Sequence, residues 1–315
     1  MRHFFLFALV FLALSAVARR ANAEPTSTTV GIYVNQVGGI DLKGNNYVVD
    51  FWVWFRSTGR STSPVDTFEV MDGKVNSKSN VIKKKLPDGS DYASARVHAT
   101  VHQLWDLHHY PFDDHALEIA IEDQEVDKTQ SVFVADHGNQ GYDPSVAVSG
   151  WEMAGFDHHV EDHSYESNYG DPTVGTGNRS TFSRFVFRLH AKRQGSARFV
   201  KVAFPLLISV FIAWCAFFVR PKDASPRVSV SVGALFAAAA GTVAMNSQLP
   251  DINYATTADK TVFLCLGMIA SSLLMTVTVL ALHYRGHEAT HRKVDRIGSI
   301  AFPALFAFLL FLVVR

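Results

Sequence analysis

Cysteine is nearly absent from this chain. Only Cys215 and Cys265 occur in 315 residues, and both sit inside apolar segments, so no disulfide staples the more polar stretch that precedes them. Residues 24–197 must therefore hold by their own core, and they are numerous enough to bury one. Internal repeats and low-complexity tracts are missing, which argues against a solenoid or an unstructured linker. A nucleophile–base pair, a phosphate-binding glycine loop and a zinc motif are missing too, so an enzyme is not expected. No pattern asks for a cofactor, a resident metal or a nucleic acid. Neither sign of charge is in excess overall, because 29 Lys+Arg meet 29 Asp+Glu. The balance conceals a division: residues 24–197 hold 24 acidic and 15 basic side chains, a net of −9. That concerns the electric field of the region rather than its fold.

The two ends are apolar. Arg2 and His3 precede an uncharged run from Phe4 to Val17, and small residues follow at Ala21-Asn22-Ala23. This is the layout of a secretory signal peptide over residues 1–23, with Ala16-Val17-Ala18 as a second possible cut. The run is shorter than the ~20 residues a membrane span needs. The last third of the chain holds four long uncharged stretches, at about 202–219, 228–246, 261–282 and 297–314. As helices at ~1.5 Å per residue each reaches across ~30 Å of hydrocarbon. Arg220, Lys222 and Arg227 fall in the first connection and Arg285, Arg292, Lys293 and Arg296 in the third, whereas the second has Lys260 beside Asp251 and Asp259. The positive-inside rule then puts connections one and three in the cytoplasm, with residues 24–197 and the C-terminus outside.

Residues 24–197 read as β. In Ser94–Leu107 the residues Ala95, Val97, Ala99 and Val101 share one face and Arg96, His98, Thr100 and His102 the other. Leu117, Ile119 and Ile121 alternate with Glu118, Ala120 and Glu122, and Phe185, Phe187, Leu189 and Ala191 with Arg184, Val186, Arg188 and His190. Pro87-Asp88-Gly89 and Gly138-Asn139-Gln140-Gly141 supply turns. Short alternating strands without a convincing amphipathic helix predict an immunoglobulin-like β-sandwich, followed by an all-α four-helix membrane domain over 198–315.

One stretch is specific: Leu104-Trp105-Asp106-Leu107-His108-His109-Tyr110-Pro111-Phe112-Asp113-Asp114-His115. Its aromatic-Pro-Phe-Asp turn resembles the signature loop of the pentameric ligand-gated ion channels, in the prokaryotic branch that lacks the flanking disulfide. Asn46–Arg56 is similar to that family's second strand, and Gly150-Trp151-Glu152-Met153 looks like the start of its eighth. Arg193 stands where the family keeps a basic residue, Pro205 near the top of the first span, and Leu249-Pro250 at the end of the second. The resemblance implies a subunit of a homopentamer in the inner cell membrane whose outer β domain binds an agonist. Its partners would be identical subunits, the lipid bilayer, permeating inorganic ions, and a small-molecule or proton agonist.

The second span is thin in Leu and Ile and rich in small residues, which suits close packing around a pore. Steps of three and four from Ser229 give Gly233, Phe236, Ala240, Val243 and Ser247 as one face. Phe236, its only bulky aromatic, would close the ring by dewetting. The acidic outer domain points towards cations, although Asp223-Ala224-Ser225-Pro226-Arg227 matches neither the cation nor the anion pattern of the family. The resemblance further implies coupling through the Ile40–Asn45 turn, Pro111, Phe112, Asp113, Arg193, Leu249 and Pro250, with Asp113 and Arg193 as an ion pair. It implies a ligand site between subunits, with Tyr142, Tyr165 and Tyr169 facing Trp54 of the neighbour. Aromatic faces suit an amine cation. Ten of the 14 histidines lie between residues 98 and 190, which makes protons a rival agonist. The spacing of His158, His159 and His163 is not a defined metal-ligand set. A non-conducting four-span sensor with the same β domain is the alternative reading.

Overall fold

A computed structural model describes residues 24–170, 179–246 and 249–314. The expected signal peptide and Ser247 lie outside the described residues. The strands are β1 (Thr26–Asp41), β2 (Asn46–Ser57), β3 (Phe68–Val70), β4 (Gly73–Lys85), β5 (Asp91–His102), β6 (Asp114–Asp123), β7 (Ser131–Ala135), β8 (Gly141–Tyr142), β9 (Trp151–Tyr165) and β10 (Ser180–Arg193), with a short helix α1 (Pro64–Thr67) before β3. They form two sheets, ordered β4-β5-β2-β1-β7 with β8 also on β1, and β3-β6-β10-β9. The alternation expected for β5, β6 and β10 decides which face is buried: Val97, Ala99, Leu117, Ile119, Ile121, Phe185 and Phe187 meet between the sheets. From β2 come Tyr47, Val49, Phe51, Val53 and Phe55. Burying each large apolar side chain contributes about 1.5–3 kcal/mol, so no covalent staple is needed. Tyr47 also ties the layers together, its hydroxyl donating to the Glu118 carbonyl across the core at 2.6 Å.

Four long helices follow: α2 (Gly195–Cys215), continued by a 3-10 turn to Phe218, then α3 (Ala224–Asn246), α4 (Thr257–Tyr284) and α5 (Glu288–Val314). Three of them are long and apolar enough to cross a membrane, and the first contributes a shorter apolar stretch, Ala203–Phe218. Every helix begins before the uncharged run that marked it, by four residues in α3 and nine in α5. The runs mark where hydrocarbon would lie, while the hydrogen-bond ladder continues into polar flanks. Thr256 shows the reason at α4: its hydroxyl accepts from the Asp259 amide at 3.1 Å and the Asp259 carboxylate accepts from the Thr256 amide at 2.9 Å, a capping box that starts the helix. Two loop assignments are thereby corrected. Arg227 is inside α3, and Arg292, Lys293 and Arg296 are inside α5, leaving a connection of only residues 285–287.

The helices pack through small residues and a few polar ties. A Cβ on Gly241 would rest 3.5 Å from Pro205, and one on Gly298 would strike Met275 at 2.7 Å. Ser272 donates to the Ala213 carbonyl at 2.8 Å and the Trp214 indole to the Ser299 carbonyl at 2.9 Å. Outward-facing Ile297, Ile300, Leu305 and Phe308 leave α5 as the most exposed helix.

Candidate functional site

The loop between β5 and β6 joins the sandwich to the helices. Arg193 ends β10 opposite Trp151 of β9, and its guanidinium forks onto Asp113, Nε to Oδ1 at 2.8 Å and Nη2 to Oδ2 at 2.9 Å. The ion pair expected from the sequence is therefore present. The side chains are 7% and 2% exposed, which removes the pair from solvent screening. Arg193 lies over the Trp151 ring at 3.9 Å and near Tyr110 at 5.3 Å. Sequence reasoning missed a third member. His115 Nε2 is 2.6 Å from Asp113 Oδ2, and its ring sits between Trp105 and Trp151 at 5.0 and 5.5 Å. The signal was available: residues 113 and 115 share one face of an extended chain. Burial works to raise the Asp113 carboxyl, but hydrogen bonds from His115 and Arg193 and the Arg193 charge outweigh it and hold it below the usual carboxylate range.

The same loop docks on the helices by backbone. The amides of Thr257 and Ala258, in the first turn of α4, donate to the His108 and Tyr110 carbonyls at 3.1 and 3.0 Å, satisfying two groups that every helix start leaves unpaired. His108 stacks on Tyr254 at 3.8 Å, and the Leu107 amide donates to the Tyr254 hydroxyl at 3.0 Å. Phe112 packs on Phe199 at 5.4 Å. Gly195 permits this approach, because a Cβ there would lie 2.6 Å from the Pro111 carbonyl oxygen. Leu249 is buried and Pro250 half-buried. The Ile40–Asn45 turn reaches the start of the loop: the Gln103 amide donates to the Asn45 carbonyl at 2.9 Å and the Trp105 indole to the Asp41 carbonyl at 3.2 Å.

On α3, Ser229, Gly233, Phe236, Ala240 and Val243 are all exposed, Phe236 at 71% and Val243 at 72%. The buried face is Arg227, Ser231, Ala234, Ala238 and Met245, turned onto the other helices. Arg227 is unexpected there. Its side chain is 0% exposed, donates to the Val219 carbonyl at 3.0 Å and grips both oxygens of Asp295 on α5.

The four aromatic candidates separate. Trp54 is on the outward face of β2, its indole lying across Gly31 of β1, where a Cβ would come within 2.3 Å, to donate to Asp136 at 2.9 Å. Tyr33, Trp52, Arg56 and Tyr92 share with it an open cavity of about 550 Å³. Burial tends to raise the Asp136 carboxyl, but hydrogen bonds from Trp54, Asn139 and Gly138 hold it low. Tyr165 and Tyr169 are together at 5.7 Å, with Phe182 5.8 Å from Tyr165. The Tyr165 hydroxyl donates to Glu122 at 3.0 Å and accepts from Arg184 at 3.1 Å. Burial, then the Glu122 charge, push that phenol up to about 12. Tyr142 does not join this pair. It packs edge-on against Phe156, nine residues along β9 from Tyr165, which is about 30 Å of strand. Its β8 pairs with β1, with Tyr142 opposite buried Val34.

A sandwich fastened by a buried ion pair and a helix-capping loop to a bundle of apolar helices is the build of a membrane receptor. Residues 202–312 match the family described as the neurotransmitter-gated ion-channel transmembrane region. The chain is 25% identical to a proton-gated ion channel of Gloeobacter violaceus over 70% of its length and 58% of the relative's. It is 22% identical to the gamma-aminobutyric acid receptor subunit gamma-1 of Rattus norvegicus over 90% of its length and 64% of that protein, and 20% identical to pH-sensitive chloride channel 2 of Anopheles gambiae over 69% and 35%. It thus spans less than two thirds of the length of these curated relatives. Residues 202–312 are thus similar to the membrane region of the neurotransmitter-gated ion channels, and no cysteine flanks the loop between β5 and β6 in this chain.

Proposed function

We propose that this chain is one subunit of a homopentameric ligand-gated channel of the inner cell membrane, in which agonist or protons bound to residues 24–197 open a cation-conducting pore lined by α3 within residues 198–315. The observation that carries the reading is the continuous uncovered face of α3 from Ser229 to Val243, opposite a face buried on the chain's own helices. Repeated around a ring, that face becomes successive bands of hydroxyl, glycine and Phe236, whose apolar constriction gates by dewetting. The basic residues flanking the first and third helix connections support a topology with the sandwich and the C-terminus outside. The net charge of −9 over residues 24–197 supports cation enrichment at the mouth.

A head-to-tail ring needs two different, complementary surfaces. Strand β4 is an exposed edge carrying Lys74, Lys78, Lys83, Lys84 and Lys85. Strand β9, an edge of the other sheet, carries Glu152, Asp157, Glu161 and Asp162. Tyr165 ends β9 of the second sheet with Tyr169 packed on it, and the Trp54 cavity lies on the first sheet, so facing subunits would pair them across one interface. The test is the mass of the purified chain in detergent, followed by currents across a planar bilayer under amine and pH steps. A five-subunit mass and a reversal potential that follows the cation gradient are expected; a monomer, or a reversal potential following chloride, overturns the corresponding part.

A further inference from the structure

The segment after β7 touches both the Trp54 cavity and the second sheet. It is anchored on β1, where the Asp136 amide donates to the Val30 carbonyl at 2.9 Å and the Asp143 amide to the Val34 carbonyl at 2.8 Å. Between these anchors it folds back on Asp136, whose carboxylate accepts from the Gly138 amide and the Asn139 side chain at 3.2 and 3.1 Å. It reaches β9 through two rings, Tyr142 on Phe156 and His137 on His158. In the second contact His137 Nδ1 lies 3.1 Å from His158 Nε2, so one imidazole donates and the other accepts. His158 Nδ1 is out of solvent and has no partner. The charges around it are committed elsewhere: Asp136 to Trp54 and Asn139, Asp157 to His190 at 2.7 Å, and His159 to Glu161 at 3.4 Å. Its β10 neighbours, Phe185 and Phe187, are apolar. His108, His115, His159 and His190 each meet a carboxylate, a contact that gains from acid. Among the described residues, neither His137 nor His158 enters an ion pair.

We propose that the His137–His158 pair is a proton-operated latch, which holds the 136–142 segment on β9 at neutral pH and releases it in acid. The chemistry fixes the direction. Neutral imidazoles share one N–H between the two facing nitrogens. A proton taken by His158 leaves an N–H on both of its nitrogens, and that on Nδ1 finds no acceptor out of solvent, which is costly. A further proton on His137 sets two N–H groups and two positive charges face to face. Burial, and after it the neighbouring His137, hold His158 below its ordinary 6.5, although Asp157 and Asp136 pull the other way. The contact is therefore present in full above about pH 6.5 and is lost as pH falls through the depressed value. Metal is a poorer occupant. Two nitrogens fall short of the ligand set of zinc, and among the described residues no three His, Cys, Asp or Glu converge to hold an ion. Freeing the segment slackens Asp136 as well, and with it the Trp54 indole. On the reading of the Trp54 cavity as a ligand site, acid thus works against the ligand there; the latch itself needs no such reading.

Hydrogen exchange makes the latch measurable. The full-length chain in nanodiscs is pulsed with deuterium at a series of pD values from about 8 to about 5. Uptake over residues 136–143 is read against the turn at residues 86–90 of the same molecule, which holds no histidine, so that intrinsic exchange chemistry cancels. Relative uptake should climb as pD falls below about 6.5, by at most about tenfold per unit, the limit for one proton. His137→Asn keeps an amide oxygen near the place of Nδ1, able to accept from His158 in either charge state. His158→Phe removes the buried imidazole and leaves an aromatic ring beside Phe156 and Phe185. Both variants should flatten the climb. A flat wild-type profile, or a climb unchanged in His158→Phe, overturns the proposal. Should a variant fail to fold, the wild-type profile alone decides it. The measurement uses neither ligand nor current, so a flat profile leaves the proposed function standing, while a chain that binds nothing at the Trp54 cavity still reports on the latch.

Discussion

Removing the Asp113 carboxylate charge should cost far more than removing a charge of the same kind elsewhere in the chain. The pair Asp113–Arg193 is 2% and 7% exposed, whereas the pair Glu288–Arg292 is 65% and 74% exposed. Surface pairs of the second kind contribute at most about 1 kcal/mol. In the first kind, deleting one partner strands the other and costs about 3–5 kcal/mol. Asp113→Asn keeps the shape, and so does Arg193→Gln in part; each should lower the unfolding midpoint by roughly 6–20 °C for a domain of this size, against little change for Glu288→Gln. The double variant should fall well short of the sum, because neither stranded charge remains. The pH dependence has a fixed sign. The folded carboxyl is held below its ordinary value, so the stabilisation is present in full above about pH 3.9 and is lost as pH falls through the depressed value. Wild type and Asp113→Asn should differ at neutral pH and converge in strong acid, as the Asp113 carboxyl takes up its proton. The assay is fluorescence-detected gel filtration after a heat step, at a series of pH values. A single variant that costs under about 1 kcal/mol, or strictly additive losses, would refute the argument. In currents, either single variant should abolish gating while assembly persists.

Three further outcomes are expected. Gly31→Ala should displace the Trp54 indole, since the new Cβ would lie 2.3 Å from it; agonist dose–response should shift right with the maximal current retained, and an unchanged curve would detach the cavity from ligand binding. Phe236→Ala should raise unstimulated current about tenfold or more as the apolar ring widens, and a silent variant would move the gate elsewhere. Asp295→Asn should destabilise the helix bundle by about 3–5 kcal/mol by stranding buried Arg227, whereas Arg227→Met with Asp295→Leu should recover most of the loss in the same heat-step assay.

Much of this architecture was legible because it rests on periodicity. A period of two set the buried faces of β5, β6 and β10, and uncharged runs located all four long helices. The Asp113–Arg193 pair came from the order of a loop and a strand end within a recognised pattern. What escaped depended on packing or on polar chemistry that hydropathy does not weigh. The sequence places Arg227 in the first connection, yet Asp295, 68 positions later, draws it inside. The helix starts were placed late because charges and hydroxyls in the first turns mask a continuing ladder, although Thr256-x-x-Asp259 was a readable cap. The resemblance sets Tyr142 beside Tyr165 and Tyr169; the pairing of its β8 on β1 and the packing of its ring on Phe156 of β9 were not legible from residue order.

The docking of the signature loop on α4 has a use in observation. The amides of Thr257 and Ala258 belong to a membrane helix, yet their acceptors are carbonyls of the sandwich. Proton exchange at these two sites is therefore a ruler between the domains: it is slow while they are seated and fast once they part. Deuterium uptake confined to the first turn of α4, followed while an agonist or acid is added, would time the separation without any electrode.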